Sequence, residues 1–302
     1  MRLNDLILIV LAMAGIAGGV AFPGPSSVFA PFVIYFMMTI IFLSFLTIDF
    51  AALVNLRGSL LGRTAVWVVM KLVLLPLAAW LLCRWLAPSF ALPALLLSGV
   101  STGVTAPFFS MLLGADTNRV LQLTVITSLL VPLSLPALVK LLAGAEMDIP
   151  YWHMARMLLQ VILVPLIIAY LVKRHVPGLL GLLNRLRYPL SVTLFFVINL
   201  GVFSTHAQFI LAHQAQVAMT VLMAFLLAGF YSAWGLAVGS LSGRRLNGLT
   251  GAVGLTYINN VLIVVFAARF FGPDAPLLAA AYLLPYFLII IPLRWAKARL
   301  EW

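Results

Sequence analysis

The sequence predicts an all-α membrane protein in which ten transmembrane helices form two inverted repeats of five, with the fourth and ninth helices discontinuous. Three observations support this fold class. The chain is 64% hydrophobic and 8% charged, with a mean hydropathy of +1.17. Its apolar runs repeatedly reach the roughly 20 residues that a helix needs to cross the hydrocarbon core. Two of these runs are interrupted at corresponding places in the two halves of the chain.

Ten apolar windows, each bounded by glycine, proline or charged residues, are the predicted spans. They cover residues 6–22, 28–47, 64–86, 91–114, 118–143, 152–173, 188–209, 215–240, 247–271 and 275–296. The first window follows Arg2 as a signal peptide would, but its apolar run is longer than the ~7–15 residues of a signal-peptide core. We therefore predict that it is the first transmembrane helix.

The distribution of basic residues predicts the orientation. With a cytoplasmic N-terminus, thirteen of the eighteen Lys and Arg residues fall on the cytoplasmic side. These are Arg2, Arg57, Arg63, Arg119, Lys173, Arg174, Arg185, Arg187, Arg244, Arg245, Arg294, Lys297 and Arg299. The positive-inside rule predicts a multi-pass protein of the cytoplasmic (inner) membrane with both termini in the cytoplasm. It also explains the net charge of +11, so we predict no nucleic-acid partner.

The two halves of the chain contain matching words. "LLGAD" at 112–116 ends the fourth span and "FFGPD" at 270–274 ends the ninth, an offset of 158 residues, while "AAW" at 78–80 matches "SAW" at 232–234. Because five spans per half is an odd number, the second half enters the membrane from the opposite face. Such inverted repeats are typical of secondary transporters. The two predicted repeat domains are residues 1–150 and 151–302.

The interruptions of the fourth and ninth spans predict a binding site. Residues 98–116, "SGVSTGVTAPFFSMLLGAD", and residues 249–265, "LTGAVGLTYINNVLIVV", place glycine, hydroxyl and amide groups within apolar runs. In lipid an unpaired backbone group costs several kcal/mol, so such breaks persist only where protein or a water-filled cavity supplies partners. Paired breaks indicate a transporter's midplane site, where the amides and positive dipole ends of half-helices favour an anion.

Several side chains in and near these breaks are predicted substrate contacts. They are Ser101, Thr102, Thr105, Pro107, Asn199, Tyr257, Asn259 and Asn260. Pro107 removes an amide donor and is expected to expose carbonyls of the preceding turn, while Tyr257 and Asn199 are expected to set the size of the substrate. The alternative for any one intramembrane asparagine is helix–helix packing. Asn259 and Asn260 lie about 100° apart on a helix, so one is expected to face the site and the other to bond a neighbouring helix.

Other features predict structure rather than chemistry. Glycines at the small-xxx-small spacing of helix contacts are Gly15, Gly19, Gly235, Gly239 and Gly243. The single Cys83 excludes an intramolecular disulfide. The four histidines form no HExxH motif, and the chain has no GxGD and no paired intramembrane carboxylates. We therefore predict that the protein is not an enzyme and uses no cofactor.

Two stretches resemble the bile acid:sodium symporter family, within the wider bile acid, arsenite and riboflavin transporter group. They run from "KLVLLPLAAWLLCRWL" to "SLLVPLSLPALVKLL" in spans three to five, and through "YINNVLIVVFAARFFGPDAPLLAAAYLLPYFLIIIPLRW" in spans nine and ten. The resemblance implies a panel domain of spans one, two, six and seven, and a core domain of the other six, in which spans four and nine cross. It also implies alternating-access transport of amphipathic or small organic anions, coupled to sodium in several members.

The chain departs from the family pattern at positions that hold sodium. Ala106 and Pro107 stand where members often have Ser-Asn, and residues 247–271 contain no counterpart of the family's sodium-binding glutamate. Lys71, in "KLVLLP", stands at a glutamine position of the second sodium site. Because a lysine amine is a compact cation with three donors, we predict that Lys71 replaces the coupling cation and bonds exposed carbonyls of span nine. The alternative is that Lys71 reaches the cytoplasmic interface.

The predicted cation site, or its substitute, comprises Lys71, Thr124, Thr127, Ser128 and Thr256. The leading hypothesis is a sodium-independent secondary transporter of a small or amphipathic organic anion, either facilitated or linked to protons through Lys71. A second hypothesis is a sodium symporter with a displaced site built from carbonyls, Thr124 and Thr127. A third is a channel or structural membrane protein, which leaves the two interrupted spans unexplained. The predicted partners are the anion and the lipid bilayer.

Overall fold

The structure is a computed structural model that describes residues 3–46, 58–144, 150–241 and 245–299. Within these ranges it consists of helices and turns, and the β pairing is limited to one isolated bridge between Thr102 and Ile258. The predicted all-helical class is confirmed for this part of the chain. Some residues used in the sequence predictions, namely Arg2, Arg57, Arg244 and Gly243, lie outside the described ranges.

The first half of the chain folds into helices that follow predicted spans one to five. They are α1 (Leu3–Ala21), α2 (Pro23–Ser26), α3 (Val33–Phe45), α4 (Gly58–Val69), α5 (Leu75–Leu86), α6 (Ala91–Gly99), α7 (Ala106–Leu113) and α8 (Thr117–Ala143). A 3-10 turn, Ser27–Phe32, joins α2 to α3. A π-helical turn, Met70–Leu74, joins α4 to α5, and a 3-10 turn, Pro88–Phe90, precedes α6.

The second half follows predicted spans six to ten. Its helices are α9 (Tyr151–His175), α10 (Pro177–Thr205), α11 (Ala207–Ala212), α12 (Gln214–Leu241), α13 (Arg245–Thr256), α14 (Asn260–Phe270), α15 (Asp274–Ala281), α16 (Leu283–Leu288) and α17 (Ile290–Arg299). The last three helices follow one another almost without interruption and correspond to the tenth window.

Seven helical stretches within the described ranges are long and apolar enough to cross a membrane. They are Pro23–Phe45, Thr64–Leu86, Thr117–Ala143, Tyr151–His175, Pro177–Thr205, Gln214–Ser240 and Asp274–Arg299. These coincide with predicted spans two, three, five, six, seven, eight and ten. The first window contains the shorter apolar helix Val10–Ala21, and the fourth and ninth windows are broken into half-helices. The full count of ten spans and the inverted relation of the halves stay predictions.

The helix of span seven begins earlier than the predicted window. The apolar window covered residues 188–209, whereas α10 begins at Pro177. The window started after Arg185 and Arg187 because charge ends an apolar run. The leucine-rich segment before them nevertheless favours a helix, and proline fits the first helical turn.

The helices pack in two groups. The first group consists of α1, α3, α9 and α10. In the second group, α12 packs against α13 and α15, and α6 packs against α5, α8 and α15. Helix α7 packs against α8 and α13. The groups meet where α8 contacts α9 and where α14 contacts α3 and α10. This grouping is compatible with a panel and a core domain, a division that stays a prediction.

Glycines permit the closest approaches between helices. A Cβ atom at Gly15 of α1 would lie 2.6 Å from the carbonyl oxygen of Phe196, and one at Gly235 of α12 would lie 2.5 Å from the carbonyl oxygen of Gly251 in α13. Real Cβ atoms do not approach other atoms so closely, so these sites admit glycine alone. The predicted contact roles of Gly15, Gly19 and Gly235 are confirmed.

We expect Gly235→Ala to lower the free energy of unfolding by about 1–3 kcal/mol, because the added methyl group forces α12 away from α13. Gly229→Ala is the matched control, since a Cβ atom at this glycine of the same helix meets no atom within 4 Å. Denaturant or thermal unfolding of both variants in detergent micelles measures the difference. Equal stability of the two variants would show that this helix contact is not as close as the structure has it.

Candidate functional site

The first break lies between α6 and α7. Helix α6 ends at Gly99, the chain is extended at Val100, and α7 begins at Ala106. Pro107 occupies the first turn of α7, where a missing amide proton costs little because that group has no helical partner. Pro107 therefore lies in the first turn of the second half-helix, and the carbonyl of Gly103 accepts a hydrogen bond from the amide of Ala106 at 3.0 Å.

The second break lies between α13, which ends at Thr256, and α14, which begins at Asn260. Asn259 caps α14, because its side-chain oxygen accepts a hydrogen bond from the backbone amide of Leu262 at 3.3 Å. Its carboxamide oxygen thus already has a structural partner. Of the two adjacent asparagines, Asn259 is the one that stabilises the start of α14.

The two breaks cross and exchange backbone hydrogen bonds. The amide of Gly103 donates to the carbonyl of Tyr257 at 2.6 Å, and the amide of Asn259 donates to the carbonyl of Ser101 at 2.9 Å. The hydroxyl of Thr102 donates to the carbonyl of Gly254 at 2.7 Å, in the last turn of α13. Each break therefore supplies partners for backbone groups that the other has lost, as a low-dielectric interior requires.

Gly103 lies where the two breaks approach most closely. A Cβ atom at this position would lie 2.9 Å from the carbonyl carbon of Ile258, and nearer still to its oxygen. Any larger residue would push the two breaks apart and stretch the bond between Gly103 and Tyr257. The glycine is thus a geometric requirement of the crossing.

Helix α8 supports the crossing from one side. The hydroxyl of Thr127 accepts a hydrogen bond from the amide of Thr102 at 3.1 Å, and the hydroxyl of Thr124 lies 3.3 Å from the carbonyl of Gly103. Ser128 instead donates to the carbonyl of Thr124 at 2.7 Å, within its own helix. Of the three predicted hydroxyls on α8, Thr124 and Thr127 contact the first break.

The carbonyl end of α13 is held by neutral hydroxyls. The Thr256 hydroxyl pairs with Ser232 of α12 at 2.9 Å, and the Thr256 carbonyl accepts a hydrogen bond from the Tyr282 hydroxyl at 2.8 Å. Sequence reasoning identified neither Ser232 nor Tyr282 as a contact. The word "SAW", which marked Ser232 as part of a repeat, was a signal for the first.

Aromatic side chains pack against the crossing. Tyr257 stacks on Phe109 of α7, with ring centroids 4.0 Å apart and planes at 13°. Tyr286 of α16 meets Tyr257 edge to face at 5.0 Å, and its hydroxyl is hydrogen-bonded to Thr105. Sequence reasoning missed Phe109 and Tyr286. The spacing of Tyr282 and Tyr286, one helical turn apart, was a signal for the second.

Lys71 lies in the π-helical turn of span three and is fully buried. Its amine donates a hydrogen bond of 2.9 Å to the carbonyl of Ser98, one residue before the end of α6. The π-helical turn precedes Pro76, whose lack of an amide donor disturbs the regular helical pattern. Lys71 thus does not reach the interface in this structure.

The partner of Lys71 differs from the prediction. We predicted carbonyls of span nine, whereas Ser98 belongs to span four. The carbonyl end of α6 carries the negative end of a helix dipole, which favours a cation there. In span nine, the corresponding carbonyl of Thr256 is already bonded to a hydroxyl.

Three predicted substrate contacts keep buried polar atoms that have no hydrogen-bond partner within the described part of the chain. They are the hydroxyl of Ser101, the side-chain oxygen of Asn199 and both polar atoms of the Asn260 side chain. The nitrogen of Asn199 donates to the carbonyl of Phe195 at 2.8 Å. Since more than 90% of buried polar groups are paired in proteins, these atoms are candidates for contacts with a bound molecule.

The site has no acidic side chain from the elements that form it. The sequence contains no Asp or Glu between Asp49 and Asp116, between Asp116 and Glu146, or between Asp148 and Asp274. Within the four described ranges, no group of three or more His, Cys, Asp or Glu side chains could hold a metal ion. The amine of Lys71 and the half-helix ends are therefore the dominant local charges and dipoles.

Part of the sequence matches a known family. Residues 31–213 match the model of the Sodium Bile acid symporter family. The matched region includes Lys71, the first break and α8, and it ends before the second break. No curated protein sequence matches the chain.

We expect Thr102→Val to lower the free energy of unfolding by about 1–3 kcal/mol, because it leaves the Gly254 carbonyl without its donor in a buried place. Thr39→Val is the matched control, since the Thr39 hydroxyl donates at 2.9 Å only to Tyr35 in its own helix. Thermal unfolding in micelles compares the two. A larger loss in Thr39→Val would contradict the importance of the crossing bond.

Proposed function

The chain belongs to the sodium bile acid symporter family, a family of membrane transporters, and we propose that it carries a small or amphipathic organic anion by alternating access. In this proposal transport is sodium-independent, and Lys71 occupies the electrostatic place of a coupling cation. The observation that carries the proposal is the fully buried amine of Lys71, hydrogen-bonded to the Ser98 carbonyl at the first break.

The unpaired polar groups support an anion site near the crossing. Asn260 begins α14 with a free carboxamide, and α14 packs against α10, which carries Asn199 with its unpaired oxygen. A carboxylate accepts hydrogen bonds and so fits the Asn260 nitrogen and the Ser101 hydroxyl. The side-chain oxygen atoms of Asn199 and Asn260 would accept a hydrogen bond from a donor of the same substrate, such as a hydroxyl. The partly apolar surroundings suit an amphipathic substrate.

The helix arrangement supports alternating access. Contacts of α14 with α3 and α10 join the two packing groups, so a movement of one group against the other would change the surroundings of Asn260. The proposal also includes ten spans in two inverted repeats and a cytoplasmic location of both termini in the inner membrane. The basic residues at the ends of α9 and α17 support this orientation by the positive-inside rule.

Because Lys71 is buried, its charged amine needs partners that offset the cost of removing it from water. A charge at mid-bilayer costs at least ~2.5–3.5 kcal/mol, and a hydrogen bond to a charged group returns about 1.5–3 kcal/mol. The helix-end dipole of α6 adds to this compensation. An anionic substrate would complete it, because its charge is opposite to that of the protonated amine. A fixed amine thereby assists anion binding without a dissolved cation.

A sodium-coupled mechanism is the second candidate. The observation in its favour is the approach of the Thr124 and Thr127 hydroxyls to the first break. In that case sodium would bind the Gly103 carbonyl together with these hydroxyls. Sodium would then stabilise the protein against heating, and Thr124→Val would abolish that stabilisation.

We expect uptake into proteoliposomes to change less than about twofold when sodium is replaced by choline, because no carboxylate is available to hold sodium. The substrate is the organic acid that gives the largest thermal stabilisation among bile acids, pantoate and 2-keto acids. Lys71→Ala should reduce uptake at least tenfold in both salts, a loss of about 1.4 kcal/mol or more in binding the anion.

Lys140→Ala is the control for the loss of a lysine, because Lys140 is exposed at the far end of α8. It should transport like the original protein. A steep sodium requirement that persists in Lys71→Ala would refute the replacement of sodium by lysine. It would favour the Thr124 and Thr127 site if sodium also stabilised the protein.

We expect Asn260→Ala to weaken binding of the same acid by about tenfold or more, because a hydrogen bond to a charged group is worth roughly 1.5–3 kcal/mol. Thermal stability without substrate should not fall, since the carboxamide has no partner to lose. Asn184→Ala, at an exposed position of α10, should change neither property. A drop in stability with unchanged affinity would instead assign Asn260 to helix packing.

A further inference from the structure

Helix α10 is longer than a transmembrane span requires. Helix α10 has 29 residues, which makes it roughly 43 Å long at 1.5 Å per residue, against a hydrocarbon core of about 30 Å. The excess lies at its beginning, because no residue from Tyr170 to Ser191 is buried and burial starts at Val192. Pro189 lies inside the helix and marks a place where a helix bends. We call Pro177–Tyr188 the leading segment.

The leading segment has an apolar face that does not pack on the protein. Leu179, Leu182 and Leu186 lie on one face at helical spacing and are 38%, 54% and 44% exposed. Leu180 and Leu183, on a neighbouring face, pack against the protein core. One side of the segment therefore rests on the protein, and an adjacent side offers leucines to an apolar medium.

The remaining face is polar and basic. Gly181, Asn184, Arg185 and Tyr188 share it at the spacing i, i+3, i+4 and i+7. Arg187 lies on the face of Leu180 and Leu183, one turn beyond Leu183, and is half-buried. A helix with these faces matches the pattern of an amphipathic helix that lies in a membrane interface.

The neighbouring sequence adds positive charge and no negative charge. Helix α9 ends in Lys173, Arg174 and His175, and only Val176 separates it from α10. The sequence contains no Asp or Glu between Asp148 and Asp274. Clusters of four or more Lys and Arg residues beside a span attract anionic lipids. The complementary partner is thus a phosphate-bearing, negatively charged headgroup.

We infer that the leading segment is an interfacial helix that binds anionic phospholipid. Its exposed leucines enter the acyl region, and Arg185 and Arg187, together with the basic end of α9, hold the headgroup phosphate. The inference does not depend on the transported anion or on Lys71. It places this lipid in the cytoplasmic leaflet only by way of the proposed orientation.

Spin labels test the position of the helix. In a Cys83→Ala background, Leu182→Cys and Asn184→Cys place labels on faces about 160° apart at nearly the same height along the helix. In vesicles of phosphatidylcholine with 30% phosphatidylglycerol, the label at 182 should collide with oxygen in the acyl region and the label at 184 with a water-soluble nickel complex. Equal oxygen access at both positions would mean a transmembrane segment, and equal water access a soluble one; either result overturns the inference.

Lipid titration tests the headgroup contact. Binding of phosphatidylglycerol to the full chain is measured by native mass spectrometry against phosphatidylcholine. Arg185→Gln with Arg187→Gln should weaken phosphatidylglycerol binding about fivefold per substitution, as expected for a basic residue near an anionic surface. The control pair, Arg156→Gln with Arg269→Gln, removes the same charge from exposed positions elsewhere and should change it less than twofold. Equal weakening by both pairs would reduce the effect to net charge and overturn the specific site.

Discussion

The hydrogen bonds between the two broken spans are the constraint on which the rest of the structure depends. A helix interrupted in hydrocarbon leaves amides and carbonyls without partners, and no water is available to satisfy them. Here the amide of Gly103 finds the carbonyl of Tyr257, and the carbonyl of Ser101 finds the amide of Asn259. Each break is therefore tolerable only because the other is present. Three residues meet this need at the crossing. The hydroxyl of Thr102 donates a hydrogen bond, the hydroxyl of Thr127 accepts one, and Gly103 leaves space for the close approach.

The carbonyl ends of α6 and α13, the half-helices that precede the two breaks, have different hydrogen-bond donors. The amine of Lys71 bonds the Ser98 carbonyl, whereas the Tyr282 hydroxyl bonds the Thr256 carbonyl. Ser98 and Thr256 are separated by 158 residues, the same offset as the matching words that end spans four and nine. Under the predicted inverted repeat these would be corresponding places, and the amine stands at only one of them. Because a covalently attached amine stays with the protein, it can favour an anion but cannot carry the energy of an ion gradient. In the proposed mechanism that energy comes from the anion itself or from a proton.

Sequence reasoning found most of the helices because hydrophobic windows and helix-breaking residues are local properties. It placed the breaks of spans four and nine correctly, since glycine and polar residues in an apolar run act within a few positions. It failed where charge and helix formation disagree, at the start of α10. It did not place Pro107 in the first turn of α7, because a proline ends one helix or begins the next depending on the path of the chain around it. Phe109 and Tyr286 were missed since their contacts join distant segments.

The sequence by itself determined the membrane class, the family and the presence of two interrupted spans, because composition and residue order carry these properties without knowledge of neighbours. Only the tertiary structure decided which groups are paired. Asn259 and Asn260 are adjacent and chemically identical, yet one caps a helix and the side chain of the other has no hydrogen-bond partner among the described residues. For Lys71 the sequence suggested carbonyls of span nine or the cytoplasmic interface, whereas the carbonyl end of α6 received its hydrogen bond. Pairing depends on which helix ends meet, and helix ends meet through contacts between residues far apart in the chain.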